Sequence, residues 1–438
     1  MRLKFSNIGK ISEADIELNG ITVIAGNNDT GKSTVGKLLY ATSTVLNVVT
    51  PEFLLQEKLE AIDKELFMLH LLINDENTNK LKDFKETINA ASSVHQKING
   101  KLEEASVIEL ENELNAIIYS IVNQLKEDAK PYEEERKKML EPMWERLVIH
   151  AKRSIKDENL KKMVIQSIIL AEFSDSLTSE FKKDELAKVV LTEDRNLAKL
   201  DFKNNRLQQA NDFKENRPFA RSFYIDTPLV LDNANRFFLR NTAASHKHRD
   251  KLLNWICRDK VGVNVFEEAL IQEKTGKIFS NTIDGELKFS NRGFLYHSNK
   301  FSEPLEMGNV SAGIKSFAII KLLMDTGGLE KCEFLILDEP EINLHPKWQL
   351  KYAELLVILQ KHYRIRIVLT SHSPYFVEAM ELYSQLHGID KVVRFYKTEI
   401  DGKMSKIINV TNCIERLYED MARPLRELEE LEDELDGE

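Results

Sequence analysis

Apolar and polar residues alternate from the first positions of the chain. Leu3–Ile8 and Ala14–Leu18 place every second side chain on one face, the period of half-buried antiparallel strands. Ile21-Thr22-Val23-Ile24-Ala25 is instead a continuous, largely β-branched run closed by Gly26, as expected of a strand buried on both faces. Thr34–Leu46 then reads as a helix. The pattern changes near Pro51. Between Gly36 and Gly262 the only glycine is Gly100, and Leu, Glu, Lys and Ile dominate. Leu110, Leu114, Ile117, Ile118, Ile121, Val122 and Leu125 recur at helical spacings of three and four, and Leu160, Val164 and Ile168 repeat the theme. Pro131 and Pro142 are expected to separate helices. Residues 48–218 therefore read as a helical insertion, part bundle and part coiled-coil-like, although no strict seven-residue repeat persists.

Strand character resumes at Ser222-Phe223-Tyr224-Ile225-Asp226. A hairpin-like stretch is expected over Lys277–Phe279, Leu287–Ser290 and Phe294–His297. Beyond it, apolar strands at Phe334–Leu337 and Ile365–Leu369 alternate with helical patterns, which implies a parallel sheet with crossover helices. The expected fold class is α/β: one sheet-based head, split into residues 1–47 and 219–412, with the insertion between them and a tail at 413–438. In that tail Leu425, Leu428, Leu431 and Leu435 would form one stripe on an acidic helix, a surface suited to docking a partner or the head itself.

The 438 residues are enough for two or three domains. No apolar run approaches the roughly 18 residues needed to cross a bilayer, so no membrane partner is expected. Met1–Ser6 lacks the apolar block of a signal peptide, and a cytoplasmic protein is the expectation. Cys257, Cys332 and Cys413 are far apart and indicate neither a disulfide framework nor a zinc site. The net charge of −10 argues against a surface coated for nucleic acid while leaving a local basic groove open.

Four segments carry candidate chemistry. Gly26-Asn27-Asn28-Asp29-Thr30-Gly31-Lys32-Ser33 fits G-x-x-x-x-G-K-[ST] between an expected strand and an expected helix that includes Thr34. In that setting backbone N–H groups and the helix N-terminus cradle phosphates, Lys32 reaches the β and γ phosphates, and the Ser33 hydroxyl ligates Mg²⁺. Asp338 and Glu339 end the apolar run Phe334–Leu337, which puts two carboxylates at the C-terminal edge of a buried strand. There Asp338 would hold the metal, and Glu339 would act as the base that polarises attacking water. His372 follows the next strand and should reach the same edge. Ser311-Ala312-Gly313 opens an apolar helix and reads as a second anion site or as an ordinary helix cap.

The order of these segments resembles the ABC-type ATPase head of RecF-like, SMC-like and OLD-family proteins, over residues 1–46 and 220–400. Asp338-Glu339-Pro340-Glu341-Ile342-Asn343-Leu344-His345-Pro346 and Thr370-Ser371-His372-Ser373-Pro374 are similar to the prokaryotic branch, with Asn343 where histidine is usual. Ala312 and Ile314 stand where the commoner signature has glycine and glutamine. The resemblance implies ATP and Mg²⁺ as cofactors. It also implies a homodimer or higher homo-oligomer in which Ser311 and Gly313 of one copy close over ATP held by Lys32 of another. The metal-sensing glutamine of such heads is not identified in this sequence; the resemblance implies the region after Asp226-Thr227-Pro228 as its place. No Cys-x-x-Cys hook interrupts the insertion, and roughly 50 residues after His387 leave no room for a TOPRIM nuclease. A stand-alone head of this kind is similar to the ATPase subunits of anti-phage systems such as Septu or PARIS, which implies control of a separate effector protein, a nuclease or other toxin. Two alternatives stay open: a repair or maintenance ATPase acting directly on DNA, and a low-turnover scaffold that sequesters a toxin.

Overall fold

A computed structural model describes residues 1–48, 50–73, 104–128, 134–193, 196–211, 221–234, 247–257, 265–290, 293–330, 332–421 and 428. The chain divides into two compact units, residues 1–47 with 166–438, and residues 48–165.

The first unit is built on a mixed sheet. Its strands are β1 (Arg2–Ile8), β2 (Ile11–Glu17), β3 (Ile21–Ala25), β4 (Ala187–Thr192), β5 (Asn196–Lys203), β6 (Arg206–Asn211), β7 (Arg221–Ile225), β11 (Cys332–Asp338), β12 (Arg366–Ser371), β13 (Val393–Asp401) and β14 (Met404–Asn409). They run in the order β6-β5-β4-β1-β2-β14-β13-β3-β12-β11-β7. One side of this order, from β6 to β1 and on to β2, is antiparallel, whereas β13, β3, β12, β11 and β7 are mutually parallel. The division follows burial. β1 alternates buried and exposed residues, while all five residues of β3 are buried, as a strand covered by helices on both faces requires. A second sheet, β8 (Gly285–Ser290), β9 (Gly293–Ser298) and β10 (Leu305–Glu306), is antiparallel.

The helices among the described residues are α1 (Lys32–Val48), α2 (Pro51–Ile73), α3 (Glu104–Asp128), α4 (Glu134–Lys152), α5 (Glu158–Glu172), α6 (His248–Ile256), α7 (Val265–Ser280), α8 (Ala312–Asp325), α9 (Pro346–Tyr363), α10 (Pro374–Leu386) and α11 (Glu415–Met421). The head's core joins β3, β7, β11 and β12 to α6 through α10, with Phe317, Tyr352 and Phe376 in edge-on or tilted ring contacts at its centre.

The α/β class expected from sequence is observed, and three local expectations are corrected. Residues 187–211, read as part of the helical insertion, form β4, β5 and β6 and extend the head's main sheet. Their turn at Asn204-Asn205 has both residues at positive φ, 50° and 59°, the twist that suits a two-residue hairpin. Pro142 lies inside α4 rather than at a break. Lys277–Phe279 belongs to α7, because Ile271, Thr275 and Ile278 are buried at helical spacing; only the two later stretches form the hairpin. Pro131 and the tail leucines Leu425, Leu431 and Leu435 lie outside the described residues; Leu428 is described and exposed.

The second unit contains α2, α3 and α4, and Leu55, Leu59, Ile62, Leu114, Ile118, Ile121 and Leu147 are buried in it. Among the described residues no helix is long and apolar enough to cross a membrane.

Candidate functional site

Four neighbouring parallel strands end at one edge of the sheet. The register pairs Ala25 with Ser371, Thr370 with Asp338, and Leu337 with Ile225, so β3, β12, β11 and β7 release their chains side by side. Ligands bind at this edge in open α/β sheets because the loops and helix N-termini converge there.

The phosphate loop leaves β3 through Gly26 at φ 150°, and Gly31 sits at φ 88°. A Cβ on Gly26 would fall 2.0 Å from Thr398 Oγ1, and one on Gly31 would fall 2.7 Å from Ile11 Cδ1. Backbone angle and space thus both demand glycine at these two positions. The loop is pinned inside by Thr30, whose hydroxyl donates to Asn27 O at 2.8 Å and accepts from Thr398 Oγ1 at 2.8 Å. Asn27, Asn28 and Asp29 are exposed at its tip, where Asp29 pairs with Lys10. Lys32 is only 4% exposed, and its Nζ donates to Gly26 O at 3.0 Å and Asn27 O at 2.8 Å. Ser33 and Thr34 follow in the first turn of α1, half-buried.

The acidic pair stands beside this loop. Glu339 Oε1 lies 3.5 Å from Lys32 Nζ, and Glu339 Oε2 lies 3.4 Å from His372 Nδ1. Glu339 takes φ 47°, a left-handed conformation that costs a non-glycine residue about 1–2 kcal/mol. Its N–H donates to Thr370 Oγ1 at 3.0 Å, and the Thr370 hydroxyl donates to Asp338 Oδ1 at 2.6 Å. One threonine therefore holds both acidic residues. The other oxygen of Asp338 accepts from Tyr224 at 3.1 Å.

Glu341, which sequence reasoning quoted without assigning it a task, is 3% exposed below His372. It accepts from Ser371 Oγ at 2.6 Å and from His372 N at 2.9 Å. Burial pushes its carboxyl above the usual range, although those two donors pull the other way. Its second oxygen is buried without a hydrogen-bond partner.

The structure thus brings Lys32, Asp338, Glu339 and His372 together. Ser311 and Gly313 stand at the start of α8, the serine exposed and the glycine buried. Ser311 is exposed and caps α8, accepting from Ile314 N at 3.4 Å. A Cβ on Gly313 would come within 3.1 Å of Trp348 and 3.3 Å of Asn343 O. Among the described residues no hydrogen bond joins either of them to the phosphate loop.

A family of known domains matches residues 21–378, described as "AAA domain, putative AbiEii toxin, Type IV TA system". The chain belongs to this family. The match begins at β3 and closes after His372, so every segment of the candidate site falls within the AAA domain. Nothing among curated proteins matches the chain. Solved structures similar to it include the SMC head domain from Thermotoga maritima, at 11% identity and a TM-score of 0.38, covering 93% of this chain and 98% of that one. Another is a Pyrococcus furiosus Smc head with an extended coiled coil bound to the C-terminal domain of ScpA, at 10% identity and TM-score 0.33, covering 95% and 98%.

Sequence reasoning missed Tyr224 as a partner of Asp338 and His248 as Tyr224's neighbour. His248 looks like one more polar residue in the His246-Lys247-His248-Arg249 stretch, and nothing in its spacing marks it. Tyr224 carried a partial signal: two residues before Asp226 on the expected strand Ser222–Asp226, it faces the same side as that carboxylate.

Proposed function

We propose that the chain binds and hydrolyses ATP with Mg²⁺, and that nucleotide-dependent pairing of two copies controls a separate effector protein in bacterial defence. The observation that carries the catalytic part is Glu339 placed between Lys32 and His372 at the common edge of β3, β11 and β12. A carboxylate flanked by a phosphate-loop lysine and a histidine can take a proton from water while the lysine holds the phosphate under attack.

Lys32, released from its carbonyl partners, binds the β and γ phosphates, and the N–H groups of Gly26–Ser33 surround them. Glu339 accepts the proton of the attacking water. His372 orients Glu339 and faces the γ phosphate. Asp338 has no cationic partner among the described residues, and none of them form a cluster of three or more His, Cys, Asp or Glu that could hold a metal unaided. Residues of this kind fit Mg²⁺, which takes one or two protein oxygens and completes its shell with phosphate and water. Ser33 and Asp338 would hold it. When bound, the ion neutralises charge building on the β and γ oxygens.

Ser311, exposed at the start of α8, is then available to close on nucleotide held by a second copy, with Gly313 buried behind it against Trp348. The net charge of −10 favours a protein partner over a direct role on DNA. The family description names the AAA domain itself a putative toxin and mentions no separate effector, so the effector part of this reading rests on the sequence resemblance alone. The catalytic reading is tested by phosphate release from MgATP: the wild type should turn over, and Glu339→Gln should bind ATP, stall and accumulate as dimer in light scattering. Wild-type protein that releases no phosphate, or a Glu339→Gln variant that stays monomeric with MgATP, would overturn the corresponding half. Mass spectrometry of proteins retained by the tagged chain in its host tests the effector. Recovery of DNA and repair proteins alone would replace that reading.

A further inference from the structure

Behind Asp338 lies a charged cluster, with Glu172 and His248 buried at its centre, that the catalytic scheme does not use. His248 opens α6, and its ring is held between two carboxylates. Nδ1 is 2.6 Å from Glu172 Oε2, and Nε2 lies 3.2 Å from Asp226 Oδ1, an ion-pair distance without in-line hydrogen-bond geometry. Glu172, the last residue of α5, also accepts the His248 backbone N–H at 2.9 Å, a carboxylate at a helix N-terminus. Asp226 is further paired with Arg249 through both oxygens. Burial alone would lower the His248 pKa, but the neighbouring carboxylates of Asp226 and Glu172 outweigh it and hold the ring above the ordinary histidine range.

This clamped ring packs on one side chain in particular. The His248 and Tyr224 rings have centroids 4.5 Å apart, with Tyr40 of α1 edge-on to His248 at 5.9 Å. Gly36 of α1 leaves the room for Tyr224: a Cβ there would meet its ring at 3.2 Å and Ile336 at 3.1 Å. Tyr224 is therefore packed among α1, α6 and β11, and its hydroxyl donates to Asp338 Oδ2, 3.1 Å away. A tyrosine so confined can deliver its hydrogen bond in one direction.

We propose that Tyr224 is a positioning residue for the metal-holding carboxylate of Asp338, and that the Glu172–His248–Asp226 clamp fixes Tyr224. Thr370 takes one oxygen of Asp338 and Tyr224 the other, so the carboxylate presents its remaining lone pairs in a set orientation. This inference rests on the proposed nucleotide site.

The test reads metal binding without turnover. Mn²⁺, which favours the same oxygen donors, is titrated into full-length protein with a non-hydrolysable ATP analogue and followed by electron paramagnetic resonance. Tyr224→Phe keeps the ring and loses the hydroxyl. It should weaken Mn²⁺ binding about tenfold, the usual cost of removing a hydrogen-bond partner of a metal ligand. Its affinity for the analogue in EDTA should not change. His248→Gln leaves the hydroxyl but unclamps the ring, and should reproduce a smaller part of the same loss. Mn²⁺ affinity unchanged in both variants overturns the inference, as does an equal fall in metal-bound and metal-free nucleotide affinity, which marks a general structural role. Wild-type protein that fails to bind the analogue with Mn²⁺ overturns the nucleotide site itself, and the inference with it.

Discussion

Among the described residues, charge is buried both in the second unit and at the head's sheet edge, and the two places are built differently. In the second unit Lys58 and Glu111 pair at 2.8 Å with side chains 3% and 6% exposed. Glu111 also accepts from Ile155 N at 2.9 Å and Ser154 Oγ at 3.5 Å, and Lys58 reaches Ala151 O at 3.4 Å. Each group is answered by neighbours of its own unit, and none opens to solvent. In the head, exposure instead rises along the line of charge: Lys32 is 4% exposed, Glu339 22% and His372 41%. One end is anchored and the other is open. A closed pair can only stabilise or specify a fold, whereas an open series can exchange partners with an incoming phosphate.

The largest expected effect tests the open series. Glu339→Gln keeps the size and the φ 47° backbone problem of Glu339 while removing a proton acceptor. Phosphate release should fall about 10²–10⁴-fold, the range for loss of a general base, with nucleotide binding retained. A variant that turns over within a few-fold of wild type would show that this carboxylate is structural, like Glu111.

The closed pair should behave in the opposite way. Glu111→Leu strands Lys58 in an apolar interior and should cost about 3–5 kcal/mol in chemical denaturation. Lys58→Met combined with Glu111→Leu should recover most of that. Burial pulls the Lys58 pKa below its ordinary value despite the stabilising carboxylate, which indicates that desolvation outweighs the pair's attraction. If the double variant is as damaged as the single one, the pair holds α2 and α3 in a geometry that apolar side chains cannot reproduce.

Between these extremes stands the His248 clamp, closed like the Lys58 pair yet attached to the open site. It makes a pH prediction whose sign differs by partner. His248 has a raised pKa in the folded chain, so its contribution is complete below the unfolded value of about 6.5 and is lost as pH rises through the folded one. Asp226 starts from burial that would raise its carboxyl, but the adjacent His248 ring and the bound Arg249 hold it well below the usual range. Its contribution is present above the ordinary carboxylate pKa of about 3.9 and fades as pH falls below that. Glu172, Asp226, Arg249, Tyr40 and Tyr224 are the ionisable groups around the ring. The stability gap between wild type and His248→Gln, read from denaturation midpoints, should therefore be widest in mildly acidic buffer and narrow as the buffer becomes alkaline. A gap that does not change with pH would mean the ring is held by packing on Tyr224 alone.

How much of this was legible depended on distance along the chain. The phosphate loop could be read because strand, glycines, lysine and helix are contiguous. Asp338-Glu339 could be read because four apolar residues placed them at a strand end. Both signals are local. The strands at 187–211 were missed for a compositional reason: the segment shares the Lys- and Leu-rich, glycine-free character of the helices before it, and its alternation, Ala187-Val189-Leu191 and Ala198-Leu200-Phe202, was outweighed by that character. The clamp was not legible because Glu172, Asp226 and His248 come from three elements that only the folded sheet and helices assemble.

The smallest effect sharpens the question of what Ser311 is for. As an exposed helix cap at 3.4 Å from Ile314 N, its replacement in Ser311→Ala should cost about 1 kcal/mol of stability and little else if capping is its only task. Beside it, Lys315 is buried and pairs with Asp232 at 2.8 Å, so the start of α8 has a second anchor that does not depend on the hydroxyl. The helix should therefore keep its place in the variant. If a second copy's nucleotide also uses Ser311, ATP-dependent dimerisation should weaken well beyond what 1 kcal/mol of folding stability explains, while nucleotide binding by the monomer stays intact. Parallel measurements of denaturation midpoint and of dimer fraction with ATP separate the two. A loss of dimer with nearly unchanged stability would make Ser311 part of an open site, like Glu339, and a loss of stability alone would leave it a cap.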